Sequence, residues 1–301
     1  MLFILIIITL YIIISYFIFI VISRVSKHNF LKIIDKNIEK TLTPYQNIIT
    51  NGLNWVNNKN YEDIYIKSFD HLKLHAIFIK HNSPKGIIIL AHGYRSTKER
   101  DIYSSVHEYY NLGFSIVVID QRGCGLSEGK YITFGLNESK DLNAWVNYLA
   151  KKYPTIPIVL GGISMGATSV LLVNNNLVRG MIVDSGFISP WEEINYCIKH
   201  YFHIPGIIFL PMINIYTNII GKFDLKKTNT IKTLKKLNVP ILFIHGGDDD
   251  FVPSINTDLN YDAYSGPKKL LIIDNANHGM SYLVNKELYV STIKEFLDIY
   301  L

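Results

Sequence analysis

From residue 61 onward, short runs of β-branched and apolar residues alternate with longer stretches of helical periodicity. Eight of these runs are predicted to be strands: Tyr61–Lys67, Leu72–Lys80, Gly86–Ala91, Ser115–Ile119, Ile158–Gly161, Met181–Val183, Ile241–Ile244 and Leu270–Ile273. The first two lie too close together for a helix between them, which predicts an antiparallel hairpin around Asp70 and His71. Helix-sized segments separate the later runs, as in parallel β-α-β crossovers. The sequence therefore predicts a mostly parallel eight-stranded sheet with helices on both faces.

The chain begins with an uncharged, apolar run from Met1 to Ile22. About 22 helical residues span roughly 33 Å, which is enough for the hydrocarbon core of a bilayer. A cleaved signal peptide carries basic residues before its apolar run and a small-x-small site after it, whereas this run is followed by Ser23 and Arg24. We expect residues 1–23 to be an uncleaved transmembrane helix rather than a buried core helix.

The basic residues nearest to this run all follow it: Arg24, Lys27, Lys32 and Lys36. By the positive-inside tendency they predict a single-pass membrane protein whose C-terminal bulk lies in the cytoplasm. The two cysteines, Cys124 and Cys197, provide no disulfide framework, which agrees with a reducing compartment. The net charge of +5 includes no block of about five to eight Lys/Arg residues, so we expect no nucleic-acid partner.

Three further segments follow the N-terminal run. Residues 24–60 are predicted to be a helical connector interrupted at Pro44. Its apolar residues at helical spacing are Phe30, Leu31, Ile33, Ile34, Ile38 and Leu42. Residues 61–301 are predicted to form one α/β domain, and the segment from residue 185 to about residue 238 has no strand pattern, which indicates an insertion.

A Gly-x-Ser-x-Gly pattern, Gly162–Gly166, follows the predicted strand Ile158–Gly161 and precedes a helical stretch. Small residues on both sides of Ser164 allow a tight strand-to-helix turn that lifts the serine hydroxyl above the sheet edge. The pattern therefore predicts Ser164 as a nucleophile. The same turn places the backbone amide of Met165 beside a reacting carbonyl.

A serine hydroxyl needs a base and a group that orients this base. His278, in the loop after the last predicted strand, is the candidate base. The candidate acids are Asp248, Asp249 and Asp250, which follow the strand Ile241–Ile244, and spacing alone does not choose among them.

The sequence His92-Gly93-Tyr94 closes the strand Gly86–Ala91. A serine nucleophile that attacks a carbonyl needs a second donor for the negative oxygen that forms. We therefore expect the backbone amide of Tyr94 to act together with that of Met165. His92 itself is expected to be structural, with hydrogen bonds within its loop.

Seven ordered motifs carry a resemblance to a known family: Tyr61–Ile64, Ser68–Leu74, His92–Tyr94, Asp120–Gly129, Ile132–Gly135, Gly161–Gly166 and His245–Pro253. The chain resembles the α/β-hydrolase superfamily, in particular its serine aminopeptidase, lysophospholipase and bile-acid-transferase-like branch, over nearly everything after Asn51. In relatives with the His-Gly-x-x-Asp-x-x-Val-Pro pattern the catalytic acid is the fifth residue, which implies Asp249 here. The resemblance also implies an α/β-hydrolase fold in which the insertion is a small helical cap over the active site.

Four polar residues near these motifs are expected to be structural. We expect Asp120 and Arg122 to form an internal ion pair, and Glu138 and Asp141 to form caps and salt bridges of the next helix. The predicted cap is rich in apolar residues: Trp191, Tyr201, Phe202, Ile204, Ile207, Ile208, Phe209, Leu210, Met212, Ile213, Ile215 and Tyr216. Only part of them can face the core of so short a segment, so others are expected to line an acyl pocket or to touch lipid.

Together these observations predict a membrane-anchored serine hydrolase of the carboxylesterase or lipase class. We expect Ser164, His278 and Asp249 to cleave an acyl ester, of a lipid or lysolipid, through an acyl-enzyme without a metal or organic cofactor. The scarcity of acidic residues in the cap favours an ester over an aminopeptidase substrate. A peptidase, an acyltransferase or a thioesterase with the same triad is an alternative, and a non-catalytic binding module is a more distant one.

Overall fold

Eight strands form one mixed sheet in the part of the chain that this computed structural model describes, residues 1–25 and 41–301. The strands are β1 (Glu62–Lys67), β2 (Lys73–Ile79), β3 (Gly86–Ala91), β4 (Phe114–Ile119), β5 (Ile158–Ile163), β6 (Val178–Asp184), β7 (Ile241–Gly246) and β8 (Lys268–Ile273). Their order is β1-β2-β4-β3-β5-β6-β7-β8. β2 is antiparallel to both β1 and β4, and the other neighbouring strands are parallel. The predicted fold class is confirmed.

The central strands are buried along their whole length, because helices cover both faces of the sheet. Every residue of β3, β4 and β7 is buried, which explains why these strands are continuous apolar runs without alternation. β1, at the edge of the sheet, is mostly exposed and alternates. The carboxyl ends of the parallel strands all lie at one edge of the sheet. The loops that follow these ends bring the candidate residues together.

The helices are α1 (Leu2–Ser23), α2 (Gln46–Asn57), α3 (Lys98–Asp101), α4 (Val106–Asn111), α5 (Leu136–Lys152), α6 (Met165–Leu171), α7 (Pro190–Phe202), α8 (Leu210–Tyr216), α9 (Thr230–Leu234), α10 (Ile255–Ala263), α11 (Ser281–Val284) and α12 (Lys286–Tyr300). One buried cluster packs α5 and α6 on the sheet around Trp145 and Val170. A second cluster packs α2, α4 and α12 on the opposite face around Val56, Val106 and Phe296.

The predicted connector is described only in part. Phe30, Leu31, Ile33, Ile34 and Ile38 lie outside the described residues. Pro44 lies in a short 3-10 turn, Thr43–Tyr45, directly before α2. The ring centroids of Trp55, in α2, and Tyr110, in α4, are 5.2 Å apart, so α2 packs on the domain.

The expected ion pair between Asp120 and Arg122 is wrong. Asp120 instead binds the Lys98 ammonium at 2.7 Å and Nδ1 of His75 at 2.6 Å. Arg122 forms two hydrogen bonds of 2.7 Å with Asp141. Both residues lie in the loop after β4, and each binds partners from other parts of the chain.

Glu138 and Asp141 have the structural roles expected of them. The Glu138 carboxylate accepts hydrogen bonds from the amide of Gly135 and from the amide and hydroxyl of Thr133 at the start of α5. Asp141 pairs with Arg122 in the buried interior. The hairpin between β1 and β2 turns at His71, whose φ of 68° is a left-handed value usual for glycine.

The segment between β6 and β7 carries α7, α8 and α9. Its buried side chains, among them Ile194, Ile198, Leu210 and Ile213, pack in a third cluster that also contains Met165. Its exposed apolar side chains are Tyr201, Phe202, Ile204, Ile207, Ile208, Ile215, Ile219 and Ile220. We refer to the predicted segment 185–238 as the cap.

Within residues 1–25 and 41–301, α1 is the one helix whose length and apolar composition suffice to cross a bilayer. Signal sequences share this length and composition. The first half of α1 is exposed, whereas Ser15, Phe19 and Ser23 are buried on one face. Phe19 stacks with Tyr216 of α8, with ring centroids 6.0 Å apart.

Candidate active site

Ser164 lies in a strained turn between β5 and α6. Its φ of 57° and ψ of −121° are outside the regions that most residues adopt. A Cβ atom on Gly162 would lie 2.4 Å from the carbonyl carbon of Gly166, and one on Gly166 would lie 2.2 Å from the Ala91 carbonyl oxygen. The glycines are therefore required for the turn and for its approach to β3.

The structure brings Ser164, His278 and Asp249 into one chain of hydrogen bonds. The Ser164 hydroxyl lies 2.8 Å from Nε2 of His278. Nδ1 of His278 lies 2.7 Å from Oδ2 of Asp249. Since a carboxylate only accepts, Nδ1 carries the proton, and Nε2 is free to accept the proton of the serine hydroxyl. Asp248 and Asp250, the competing acids, are exposed.

The carboxylate of Asp249 is buried and fully hydrogen bonded. Its Oδ1 accepts from the amides of Phe251, at 3.0 Å, and Val252, at 2.8 Å. Burial alone would raise the pKa of Asp249, but the charge of His278 and the hydrogen bonds from His245 and His278 outweigh it and hold that pKa well below its usual range. Asp249 is therefore ionised at every pH at which the protein is expected to work.

The imidazole of His278 experiences two opposing effects. Burial lowers its pKa, whereas the charge of Asp249 and the hydrogen bond to it raise the pKa, and the net shift is upward. The ring of Phe251 lies against the imidazole, with centroids 5.0 Å apart. The imidazole is thus oriented from one side by the carboxylate and from another by an aromatic ring.

The backbone of His92–Tyr94 passes directly beside Ser164. A Cβ atom on Gly93 would lie 3.2 Å from Cβ of Ser164. The N–H of Gly93 donates to Asp101 at 2.7 Å. Within residues 1–25 and 41–301, the N–H groups of Tyr94 and Met165 donate no hydrogen bond to another group of the protein. These two amides are therefore available to a substrate oxygen.

His92 is structural, as expected. Its Nδ1 lies 2.9 Å from the carbonyl oxygen of Gly93, and its Nε2 accepts the amide proton of Gln121 at 3.2 Å. Burial lowers the pKa of His92, so its imidazole is held neutral. His92 therefore shapes the loop and does not face the serine.

A cavity of about 370 Å³ opens above Ser164 and His278. Tyr94, Arg95, Phe251 and Met280 contribute to its walls. The cap contributes Tyr201, so it covers one side of the cavity. The space is large enough for a small acyl group and part of a leaving group.

Several residues of this site were missed by sequence reasoning. Nε2 of His245 lies 3.1 Å from Oδ2 of Asp249, the oxygen that His278 also contacts, and its only signal was membership of the His245–Pro253 motif. Asp101 holds the loop at Gly93 and has no sequence signal. Glu193, in α7, is buried over the site, and burial raises its pKa to about 7 against the lowering effects of Cys197 and His278.

Comparison with known proteins identifies related families and relatives. Residues 82–212 match the family of serine aminopeptidases (S33), and residues 221–300 match the PhoPQ-activated pathogenicity-related proteins. Over 223 residues, 72% of each chain, the protein is 31% identical to YqkD of Bacillus subtilis. Over 261 residues, 81% of this chain and 80% of the relative, it is 27% identical to the α/β-hydrolase domain-containing protein WAV2 of Arabidopsis thaliana.

Two further similarities are to a solved esterase structure and to a yeast membrane protein. The esterase Pf2001 of Pyrococcus furiosus is similar with a TM-score of 0.66, at 23% identity, over 80% of this chain and 93% of the esterase. The membrane protein YNL320W of Saccharomyces cerevisiae is 23% identical over 244 residues, 79% of each chain. The sheet order and the serine turn after β5 define a hydrolase of the α/β class. The chain belongs to the α/β-hydrolase superfamily.

Proposed function

We propose that this protein is a serine hydrolase that cleaves carboxylic esters through an acyl-enzyme. The observation that carries the proposal is the unbroken chain of hydrogen bonds from Ser164 through His278 to Asp249. A nucleophile, a base and an orienting carboxylate in this geometry are the parts that acyl transfer requires. No metal ion or organic cofactor takes part in the proposed reaction.

In the first half of the reaction, Ser164 Oγ attacks the acyl carbonyl while Nε2 of His278 takes the hydroxyl proton. The ester C–O bond then breaks, and His278 gives the proton to the alcohol that leaves. In the second half, a water molecule attacks the acyl-enzyme and its proton passes to His278. Return of this proton to Oγ releases the carboxylic acid and restores Ser164.

The negative oxygen of the tetrahedral intermediate is proposed to be bound by the amides of Tyr94 and Met165. Met165 is the first residue of α6, so its amide also benefits from the positive end of the helix dipole. Each such donor contributes on the order of 3 kcal/mol to the transition state.

The substrate is proposed to be an apolar acyl ester, with a lipid or lysolipid as the preferred class. The cap presents apolar side chains both to the buried cluster that contains Met165 and to the outside of the molecule. In the cap, the carboxyl of Glu193 is buried, and its pKa of about 7 leaves it partly neutral. This carboxyl accepts a hydrogen bond from Cys197. This arrangement favours an ester over a substrate with a free amino group.

The test is replacement of the nucleophile. Ser164→Ala is expected to abolish labelling by a fluorophosphonate and to lower the turnover of p-nitrophenyl esters by about 10³-fold or more. Ser169→Ala is the matched control, because Ser169 is a buried serine of α6, the helix that follows Ser164, and its hydroxyl donates to the Met165 carbonyl. Unchanged labelling of the Ser164 variant would disprove the proposal. A panel of esters, aminoacyl amides and thioesters separates the esterase from a peptidase or a thioesterase.

We further propose that α1 anchors the protein in a membrane, with residues 24–60 as the connector and residues 61–301 as the catalytic domain. The length of α1, its exposed apolar first half and the similarity to a yeast membrane protein support this proposal. The exposed apolar side chains of the cap lie next to α1: Tyr11 donates a hydrogen bond to the Ile208 carbonyl at 2.9 Å. This contact supports the proposal that the cap touches the same lipid. The basic residues after α1 favour a cytoplasmic catalytic domain.

A further inference from the structure

The C-terminal end of α1 is held by the loop that carries a proposed oxyanion donor. A helix leaves its last four carbonyls without partners in the helix. In α1, the Ile22 carbonyl accepts a hydrogen bond of 2.7 Å from the Tyr94 hydroxyl. The Val21 carbonyl accepts one from the Arg95 guanidinium. These bonds connect the N-terminal helix to residues beside Ser164.

Arg95 joins three groups at this point. Its Nη2 also donates to the Arg24 carbonyl at 2.8 Å, and its Nε donates to the Tyr94 hydroxyl at 2.8 Å. The last turn of α1 contains no basic residue, although a positive charge there stabilises a helix. Arg95 supplies that charge from another part of the chain.

The backbone of Arg95 shows that this geometry is imposed by its contacts. Its φ is 50°, a left-handed value that costs energy for a residue other than glycine. Tyr94 is also fixed on its other side, because its ring stacks on Phe134 with centroids 5.5 Å apart. Tyr94, whose N–H is the proposed oxyanion donor, is therefore restrained through its hydroxyl on one side and its ring on the other.

We propose that Arg95 is a positioning residue: it clamps the end of α1 to the oxyanion loop and thereby fixes the amide of Tyr94. The inference rests on the proposed function, since it concerns the geometry of the same oxyanion hole. It gives α1 a second role, because the helix that attaches the protein also supports the active site. Complete loss of an oxyanion donor lowers kcat by about 10²–10³-fold, and displacement of a donor by a fraction of an ångström loses part of this.

The test compares Arg95→Met with Arg179→Met in the full-length chain. Arg179 is an exposed arginine near the opposite end of the sheet, so the control has the same change in charge. For a p-nitrophenyl ester, Arg95→Met is expected to lower kcat about 10-fold or more, with KM within about twofold of the parent, because the hole acts on the transition state. Arg95→Lys, which keeps the charge, is expected to recover part of kcat.

A transition-state analogue provides the readout that a general loss of structure would not give. A phenylboronic acid forms a tetrahedral adduct on serine with a negative oxygen in the hole. Its affinity is expected to fall in Arg95→Met by the same factor as kcat, whereas Arg179→Met has no effect. Tyr94→Phe removes the shared hydroxyl, and its effect is expected to be less than multiplicative with Arg95→Met.

The outcomes separate the clamp from the proposed function. Parent kcat and analogue affinity in Arg95→Met would overturn the clamp while leaving the hydrolase intact. A parent protein that hydrolyses no ester and is not labelled at Ser164 would overturn the proposed function. Amide hydrogen exchange then still tests the clamp. Arg95→Met is expected to speed exchange in residues 20–25 and 92–96 together. Unchanged exchange in both segments would contradict the clamp.

Discussion

The Asp249 carboxylate takes part in more hydrogen bonds than the side chain of Ser164 or of His278. It faces two imidazoles, those of His278 and His245, and two backbone amides. Asp249→Asn is expected to lower kcat about 10³-fold or more, because the amide no longer fixes the protonated Nδ1 of His278. The measurement is kcat and kcat/KM for a p-nitrophenyl ester against pH.

The pH dependence of that variant follows from the two effects on His278. The parent requires a neutral imidazole, and its pKa is raised, so activity is expected to rise through a pH above the ordinary value of about 6.5 for histidine. In Asp249→Asn the raising charge is lost while burial remains, so the remaining acid limb is expected to move to lower pH. Asp248→Asn, an exposed neighbour, is the control and keeps both rate and profile. A profile that does not move in Asp249→Asn would show that another acid orients the histidine.

Single residues were predictable where a local pattern fixes their place. The serine turn has a five-residue pattern, and the structure places Ser164, His278 and Asp249 within hydrogen-bond distance; their catalytic roles remain predictions. The choice of Asp249 came from family resemblance, since all three aspartates follow the same strand. The pairing of Asp120 failed because its partners, Lys98 and His75, lie 22 and 45 residues away, and only the packed sheet brings them together.

At the scale of elements, the turn between β5 and α6 depends on a close approach to β3. A Cβ atom on Gly166 would lie 2.2 Å from the Ala91 carbonyl oxygen and 2.7 Å from that of His92. Gly166→Ala is expected to lower the free energy of unfolding by about 3 kcal/mol, since backbone atoms must move to relieve the overlap. Chemical denaturation followed by circular dichroism measures the change.

Gly180→Ala, in β6, is the matched control. A Cβ atom there would lie 3.7 Å from Cε1 of Phe296 and 3.9 Å from the methyl groups of Val159, which are ordinary contacts. The unfolding free energy of this variant is expected to stay within about 1 kcal/mol of the parent. Equal effects in the two variants would mean that the turn tolerates a side chain.

Strands were predictable because buried parallel strands are continuous β-branched runs, and the predicted strands overlap the observed ones to within a few residues at each end. The docking of α1 was not predictable. Its buried face, at Ser15, Phe19 and Ser23, has no polar opposite face, since the run is apolar all round. Periodicity identifies the buried face of a helix only when the opposite face is polar, and α1 has no polar face.

For the whole molecule, the proposed anchoring by α1 predicts that the cap touches lipid. An environment-sensitive fluorophore on Ile207→Cys, with both native cysteines replaced by serine, is expected to be blue-shifted in lipid nanodiscs and quenched by spin-labelled lipid. Ile207 is exposed in the cap, whose neighbour Ile208 binds α1 through Tyr11. The emission of this label measures its contact with lipid.

Ile299→Cys is the control for this measurement. Ile299 is exposed near the end of α12, and Phe296 of the same helix packs near Gly180 at the start of β6, away from the serine. A label there is expected to stay in water. Equal emission from the two sites would contradict contact between the cap and lipid. External protease that digests the domain in spheroplasts would contradict the cytoplasmic orientation.

The contacts between α1 and the cap also have a consequence for biosynthesis. Tyr11 and Ile208 are 197 residues apart in the chain, and Tyr216 and Ile12 are 204 apart. At about 5–20 residues per second, a ribosome needs roughly 10–40 s to make the segment that α1 will touch. During this time the apolar surface of α1 that will contact the cap is without these partners, so a bilayer or a chaperone is expected to cover it. The protein therefore completes its active-site loop only after the nascent helix is already in place.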